Sequence, residues 1–273
     1  TDVLGFPRQM SLYRASPADG VAWITGGSSG IGLELALELA RRGYKVAISS
    51  RKFDVFDEAA GKKPGIASSI SKFPCDVSKA DEMAKTIEAI EQSIGPIALA
   101  VFNAGNYIPQ HGMELEISAF EKTFDVNFLG AVNGIVPLIE RMKQRGRGHI
   151  AVTGSITSYG GLPMAAAYGA SKAALNSMAQ SLKFDLDRKN IRIQMCNPGF
   201  VESELTKKND FAMPGLMKAA DAAKRYADGL EKGGFEIRFP RRLAWPLRIV
   251  GMLPSPLFFR IVAKATGADK PLT

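Results

Sequence analysis

The chain has 273 residues, 46% hydrophobic and 23% charged, which suits one large α/β domain of ordinary globular composition. Cys75 and Cys196 have no CxxC partner, and His111 and His149 are the only histidines, so a zinc site, a disulfide framework and a His-rich metal centre are excluded and no metal is expected. The net charge of +8 sits at one end: residues 238–273 carry seven basic side chains against Asp269, net +6, with no nucleic-acid reader motif beside them.

Residues 1–19 lack a basic start followed by an apolar run, so they read as an amino-terminal extension and not as a signal peptide. Met10 is an alternative start, which leaves open whether residues 1–9 are native. No run of about 18 apolar residues exists, so no transmembrane helix is expected. Residues 20–25 read as a short strand carrying Val21, Trp23 and Ile24. A glycine-rich turn over 26–32 follows, then Leu33, Leu35, Ala36, Leu39 and Ala40 at helical spacing. Gly43 ends that helix in left-handed backbone, and residues 45–50 form a second strand, completing a βαβ unit.

The alternation continues. Strands are expected at 71–76, 97–102, 149–153 and 191–196, and helices at 81–94, 117–145 and 168–188, with a kink or break at Pro137. This pattern predicts a single-domain α/β fold, a Rossmann-type doubly wound parallel sheet with helices on both faces. The domain spans residues 20–237, and a basic, apolar tail spans 238–273.

Thr25-Gly26-Gly27-Ser28-Ser29-Gly30-Ile31-Gly32 lies between a strand and a helix. Glycines there let backbone N–H groups approach a pyrophosphate, and the helix N-terminus adds unpaired donors. Alone the cluster is a plain turn; in this context it reads as a dinucleotide-binding turn, with Ser28 and Ser29 as further donors. NAD would call for a carboxylate about 20 positions on. The sequence there is Ser49-Ser50-Arg51-Lys52, so Arg51 and Ser50 suit a 2′-phosphate and NADP(H) is preferred; the alternative is a solvated basic loop.

Tyr168 and Lys172 stand four apart on a predicted helix and therefore share a face. An ammonium there is expected to lower the phenol pKa, making Tyr168 a general acid or base. With the rest of the chain, from Val21 to Ser203, this resembles the short-chain dehydrogenase/reductase family. Thr25 to Gly32 has the form of the family's glycine turn, Asp76-Val77 resembles its adenine-contacting pair, and Asn103-Ala104-Gly105 matches its Asn-Ala-Gly signature. Asn127 stands where the family has a catalytic asparagine, Ser155 precedes Tyr168 by the usual 13 residues, and Pro198-Gly199-Phe200-Val201-Glu202-Ser203 resembles Pro-Gly-x-Val-x-Thr.

The resemblance implies that Tyr168 exchanges a proton with the substrate oxygen, which Ser155 orients. It implies that Lys172 also contacts the nicotinamide ribose, that Asn127 holds a water in a proton relay, and that Ser203 reaches the carboxamide. Gly26, Gly30, Ile31, Gly32, Pro198, Gly199 and Val201 complete the cofactor set.

Substrate selection is expected from Thr157, Tyr159, Leu162 and Met164, and from a mobile lid at about 204–220 bearing Phe211, Met213, Leu216 and Met217; the alternative for the lid is a helix packed on the core. The tail mixes Trp245, Leu247, Ile249, Leu257, Phe258 and Phe259 with Arg248 and Arg260, which suits either an interfacial membrane segment or docking on this subunit or a neighbour. The reading is an NADP(H)-dependent reductase of a hydrophobic ketone or 3-oxo lipid, cytoplasmic or peripheral to a membrane, and a homodimer or homotetramer. The rival readings are an NADP-dependent alcohol or steroid dehydrogenase and a non-catalytic NADP-binding sensor or scaffold.

Overall fold

A computed structural model describes residues 12–209 and 213–269. The alternative start at Met10, the lid residue Phe211 and Lys270 lie outside them. The strands are β1 (Val21–Thr25), β2 (Lys45–Ser50), β3 (Ile70–Pro74), β4 (Ile97–Phe102), β5 (Gly148–Thr153), β6 (Ile191–Pro198) and β7 (Glu236–Phe239). They form one sheet in the order β3-β2-β1-β4-β5-β6-β7 with every pairing parallel. The chain reverses its direction of winding between β1 and β4, and ligands of such sheets bind outside the carboxyl ends of the strands at that crevice.

The helices are α1 (Gly30–Arg41), α2 (Asp54–Gly61), α3 (Pro64–Ala67), α4 (Ala80–Ser93), α5 (Ile117–Phe124), α6 (Gly130–Arg145), α7 (Ala166–Leu186), α8 (Ala219–Lys232), α9 (Arg241–Val250) and α10 (Ser255–Thr266). Period-two alternation along each strand divides the core into two layers. Ala22 and Ile24 meet α1 and α8 on one face, in a layer with Leu35, Leu39, Tyr226 and Leu230. Val21 and Trp23 meet α4, α6 and α7 on the other, with Ile87, Leu138 and Leu175. Gly43, at φ +91°, ends α1 as expected.

The kink expected at Pro137 does not break the helix: α6 runs through it. Ile135, Leu138 and Met142, buried on both sides of the proline, hold the helix onto the sheet. The irregularity lies upstream, where Asp125–Leu129 widens into a π turn between α5 and α6. The strand expected at 71–76 spans Ile70–Pro74. β7 and α8 were not anticipated, and β7 straddles the expected domain boundary at 238.

His149 is buried on β5, where its Nε2 lies 2.7 Å from Gln194 Oε1. Since that oxygen can only accept, Nε2 carries the proton, and Nδ1 has no partner among the described residues. Burial pushes the imidazole down to about 4. The unfolded chain therefore binds the proton first as pH falls from about 6.5 to 4, and stability drops across that window by about 3 kcal/mol. Urea unfolding at pH 7 and pH 5 should show about 2 kcal/mol of this fall, and His149→Asn should flatten it.

Candidate active site

The carboxyl end of β1 is crowded by backbone. Gly26 has φ +65° and Gly30 φ +53°, which L side chains rarely adopt. A Cβ at Gly32 would stand 2.2 Å from Gly26 O and 2.6 Å from Asn103 Nδ2, so Gly32 lies beneath the turn rather than facing the cleft. Thr25 Oγ1 accepts from Asn103 N at 3.0 Å and Ala104 N at 3.2 Å, and Asn103 Nδ2 donates to Thr25 O and Gly26 O, both at 3.3 Å. These bonds tie the ends of β1 and β4 together and leave the α1 N-terminus facing a cleft of about 310 Å³.

Gly26, Ser28, Ser29, Gly30 and Ile31 line one part of the cleft, and Ser50, Arg51, Asp76 and Val77 another. Ser28 Oγ donates to Ser50 Oγ at 2.8 Å, joining the glycine turn to the end of β2. Burial alone would raise the Asp76 carboxyl. Two hydrogen bonds from Ser78, with the nearby Arg51 and Lys79 charges, hold it below the ordinary carboxylate range. Asn133 Nδ2 donates to Val77 O at 2.9 Å, fixing the neighbouring loop against α6.

Asn103, Ala104, Gly105, Tyr168, Lys172, Pro198, Gly199, Val201 and Ser203 line the remainder of the cleft. Ser155 opens the turn Ile156–Tyr159, its Oγ accepting from Thr157 N at 3.2 Å, and it also hydrogen-bonds Tyr168. Lys172 Nζ donates to Thr153 O at 2.8 Å and lies 5.7 Å from the Tyr168 ring centroid. The π turn carries Asn127 inward, where Nδ2 donates to Asn106 O (3.0 Å) and Ser171 Oγ (2.9 Å) and Oδ1 accepts from Asn106 N (2.6 Å). Asn127 thus anchors the loop after β4.

The electrostatics differ from the expectation. Burial raises the Tyr168 phenol above its ordinary value; the Ser155 hydrogen bond opposes this and Tyr107 adds to it. The same burial draws Lys172 down to about 8. Burial thus opposes the lowering expected from Lys172, because the desolvation that raises Tyr168 also disfavours the lysine's own charge.

Several cleft residues escaped the sequence reading. Thr206 Oγ1 donates to Val201 O at 2.8 Å and accepts from Ser203 N at 3.0 Å, so it shapes the loop after β6. Tyr107 packs edge-on to Tyr168 with centroids 5.2 Å apart, and Lys208 Nζ donates to Tyr107 O at 2.7 Å. The expected lid is therefore strapped to the loop after β4. Met217 pairs with Val201 and packs on the core, whereas Leu216 is exposed. An aromatic four residues after Asn103 was the available signal for Tyr107; Thr206 had none beyond its type.

The tail returns to the same end of the sheet. Glu236 accepts from Tyr159 Oη, from Asn197 Nδ2 at 2.8 Å, from Arg238 at 2.7 Å and from Arg248. One carboxylate thus joins β6, β7 and α9 to the turn after Ser155. Phe258 stands where a Cβ of Gly160 would be, at 2.6 Å, and Leu243 lies 3.1 Å from a Cβ at Gly199. Tyr159 is therefore a structural tie, its phenol raised by burial and by Glu236.

The chain matches the short chain dehydrogenase family over residues 20–213. It is 36% identical over 237 residues to an uncharacterized oxidoreductase of Myxococcus xanthus, covering 87% of this chain and 94% of that protein. It is 31% identical over 188 residues to the 3-oxoacyl-[acyl-carrier-protein] reductase MabA of Mycobacterium tuberculosis, covering 68% of this chain and 71% of that one. An alcohol dehydrogenase from the archaeon Thermococcus sibiricus, complexed with 5-hydroxy-NADP, superposes with a TM-score of 0.70 at 25% identity over 81% of this chain and 95% of its own.

Glu236→Gln places an amide N–H among four donors. It should lower stability by roughly 2 kcal/mol and expose the tail to protease, as thermal unfolding and limited proteolysis would show.

Proposed function

The chain belongs to the short-chain dehydrogenase family of oxidoreductases, and on that premise we propose that it reduces a hydrophobic ketone or 3-oxo lipid with NADP(H). The observation that carries this reading is one cleft with Arg51 at one end and Tyr168 and Lys172 at the other. The cleft residues fit the cofactor: backbone N–H groups of the glycine turn suit a pyrophosphate, and Arg51 with Ser50 suits a 2′-phosphate. Asn103 to Gly105, Pro198 to Val201 and Ser203 would border the nicotinamide half. When bound, the dinucleotide supplies the hydride.

The chain's own residues handle the proton. Burial keeps the Tyr168 phenol protonated at neutral pH, so it is ready to donate to a substrate oxygen. The Ser155 hydroxyl, beside the phenol, orients that oxygen. A Cβ at Gly105 would lie 3.6 Å from both Lys172 Nζ and Asn127 Oδ1, so the bare glycine leaves room between them for a water that resupplies the proton. Tyr107 packs on Tyr168, and Ile156 and Leu243 pack against Gly199 of the cleft, so its substrate side is flanked by apolar side chains; the similarity to the 3-oxoacyl reductase supports an acyl ketone. The similarity to the archaeal alcohol dehydrogenase supports the rival direction, alcohol oxidation. Assembly as a homodimer or homotetramer would cover Leu129, Val136 and Phe184, which are exposed on the α6 and α7 side.

Tyr168→Phe should reduce turnover roughly 10³-fold while NADPH binding persists. Retained turnover would refute the proton donor. A wild type that binds NADPH yet oxidises it with no ketone of a graded chain-length series would favour the sensor reading. Arg51→Ala should weaken NADPH binding roughly thirtyfold and leave NADH binding nearly unchanged, by fluorescence titration. An unaltered preference would overturn the cofactor assignment.

A further inference from the structure

The two carboxyl-terminal helices are apolar on both sides. Inward, Ala244 and Val262 are buried, Leu243 meets Gly199 and Phe258 meets Gly160. Outward, α9 presents Trp245 and Ile249, one turn apart, flanked by Arg241 and Arg242; Met252 follows in the connecting loop, and α10 adds Phe259 beside Arg260. Trp245 is 46% exposed, Ile249 56%, Met252 79% and Phe259 67%. Between residues 237 and 268 there are six basic side chains and no carboxylate. Glu236 pairs with two of them, Arg238 and Arg248. Arg241, Arg242, Arg260 and Lys264 form no ion pair among the described residues.

We propose that this face docks on an anionic lipid bilayer. Helices of this kind lie in the plane of the interface, their apolar side chains at the acyl boundary and their arginines at the phosphates. A second copy of the chain is the poorer occupant. A two-fold contact sets each patch against itself, so Arg241, Arg242, Arg260 and Lys264 would meet their own copies with no carboxylate to answer them. A nucleic acid would use the charges but leave Ile249, Met252 and Phe259 in water. Because Leu243 of the same segment abuts Gly199 at the cleft, docking would bring the cleft close to the lipid. The proposal stands apart from the catalytic reading, since it needs neither cofactor nor turnover.

The test is co-sedimentation of the full chain with vesicles of phosphatidylcholine alone and of an equimolar phosphatidylcholine–phosphatidylglycerol mixture. Tryptophan emission is the second readout, because Trp23 is fully buried and Trp245 is the other of the two tryptophans. The expected result is binding to the mixed vesicles only, with a blue shift, both weakened by added salt. Arg241→Ala combined with Arg242→Ala should weaken binding about thirtyfold. Ile249→Gln combined with Met252→Gln should weaken it and shrink the blue shift. All four positions are exposed, so the unfolding temperature should stay as in the wild type, which confirms folding. Absence of binding to the mixed vesicles would overturn the proposal, as would undiminished binding by both double variants. A concentration-dependent dimer dissolved by the same substitutions would overturn it in favour of a second copy.

Discussion

A short polar chain runs beneath the cleft and links its two ends. The Asn103 amide donates to Gly26 O, its oxygen accepts from Thr153 Oγ1 at 3.4 Å, and Thr153 O accepts from Lys172. Each link joins a different strand end to the next, from β1 through β4 and β5 to α7. The glycine turn and the lysine are therefore positioned by one chain of side-chain hydrogen bonds. Gly32 makes the arrangement sterically feasible, because any Cβ there would displace both Gly26 O and the Asn103 amide.

The same cleft keeps ionisable groups where water solvates them poorly. Lys172 is buried and Tyr168 half-buried, and each pKa is displaced toward its neutral form. Such displacement opposes folding, since the unfolded chain would ionise the lysine freely at neutral pH. The sheet supplies the offset through two continuous apolar layers. Under the proposed reading, proton transfer would take place in a low-dielectric site, where a single hydrogen bond from Ser155 has more influence than it would in water.

The tail is part of this machinery. Glu236 draws four donors from four segments onto one carboxylate, and so couples α9 to the turn that carries Ser155. Arg238 also stacks on Trp245 at 4.1 Å, so the inner contacts of the tail orient a residue on its outer face. The charge that looked like a property of the tail alone is thereby divided: two arginines serve the fold, and Arg241, Arg242, Arg260 and Lys264 face outward.

The sequence by itself determined the sheet class, the order of its first six strands along the chain and the sites that recur at fixed local spacing. Period-two strands, the glycine turn, Gly43 and the Tyr168–Lys172 pair are local patterns, and local sterics enforce them wherever they occur. Tertiary structure decided the rest. α8 went unassigned although Ala222, Ala223, Tyr226, Ala227 and Leu230 recur at helical spacing and face the core. β7 is only four residues long and gains its partner from β6, far away in sequence. Of the kink or break expected at Pro137, the break does not occur, since packing on both sides carries α6 through it, and the π turn at Asp125–Leu129 left no compositional trace. Whether Lys172 lowers the phenol, and which arginines of the tail are neutralised, depends on burial and on partners such as Glu236, and those arise only once distant strands lie side by side.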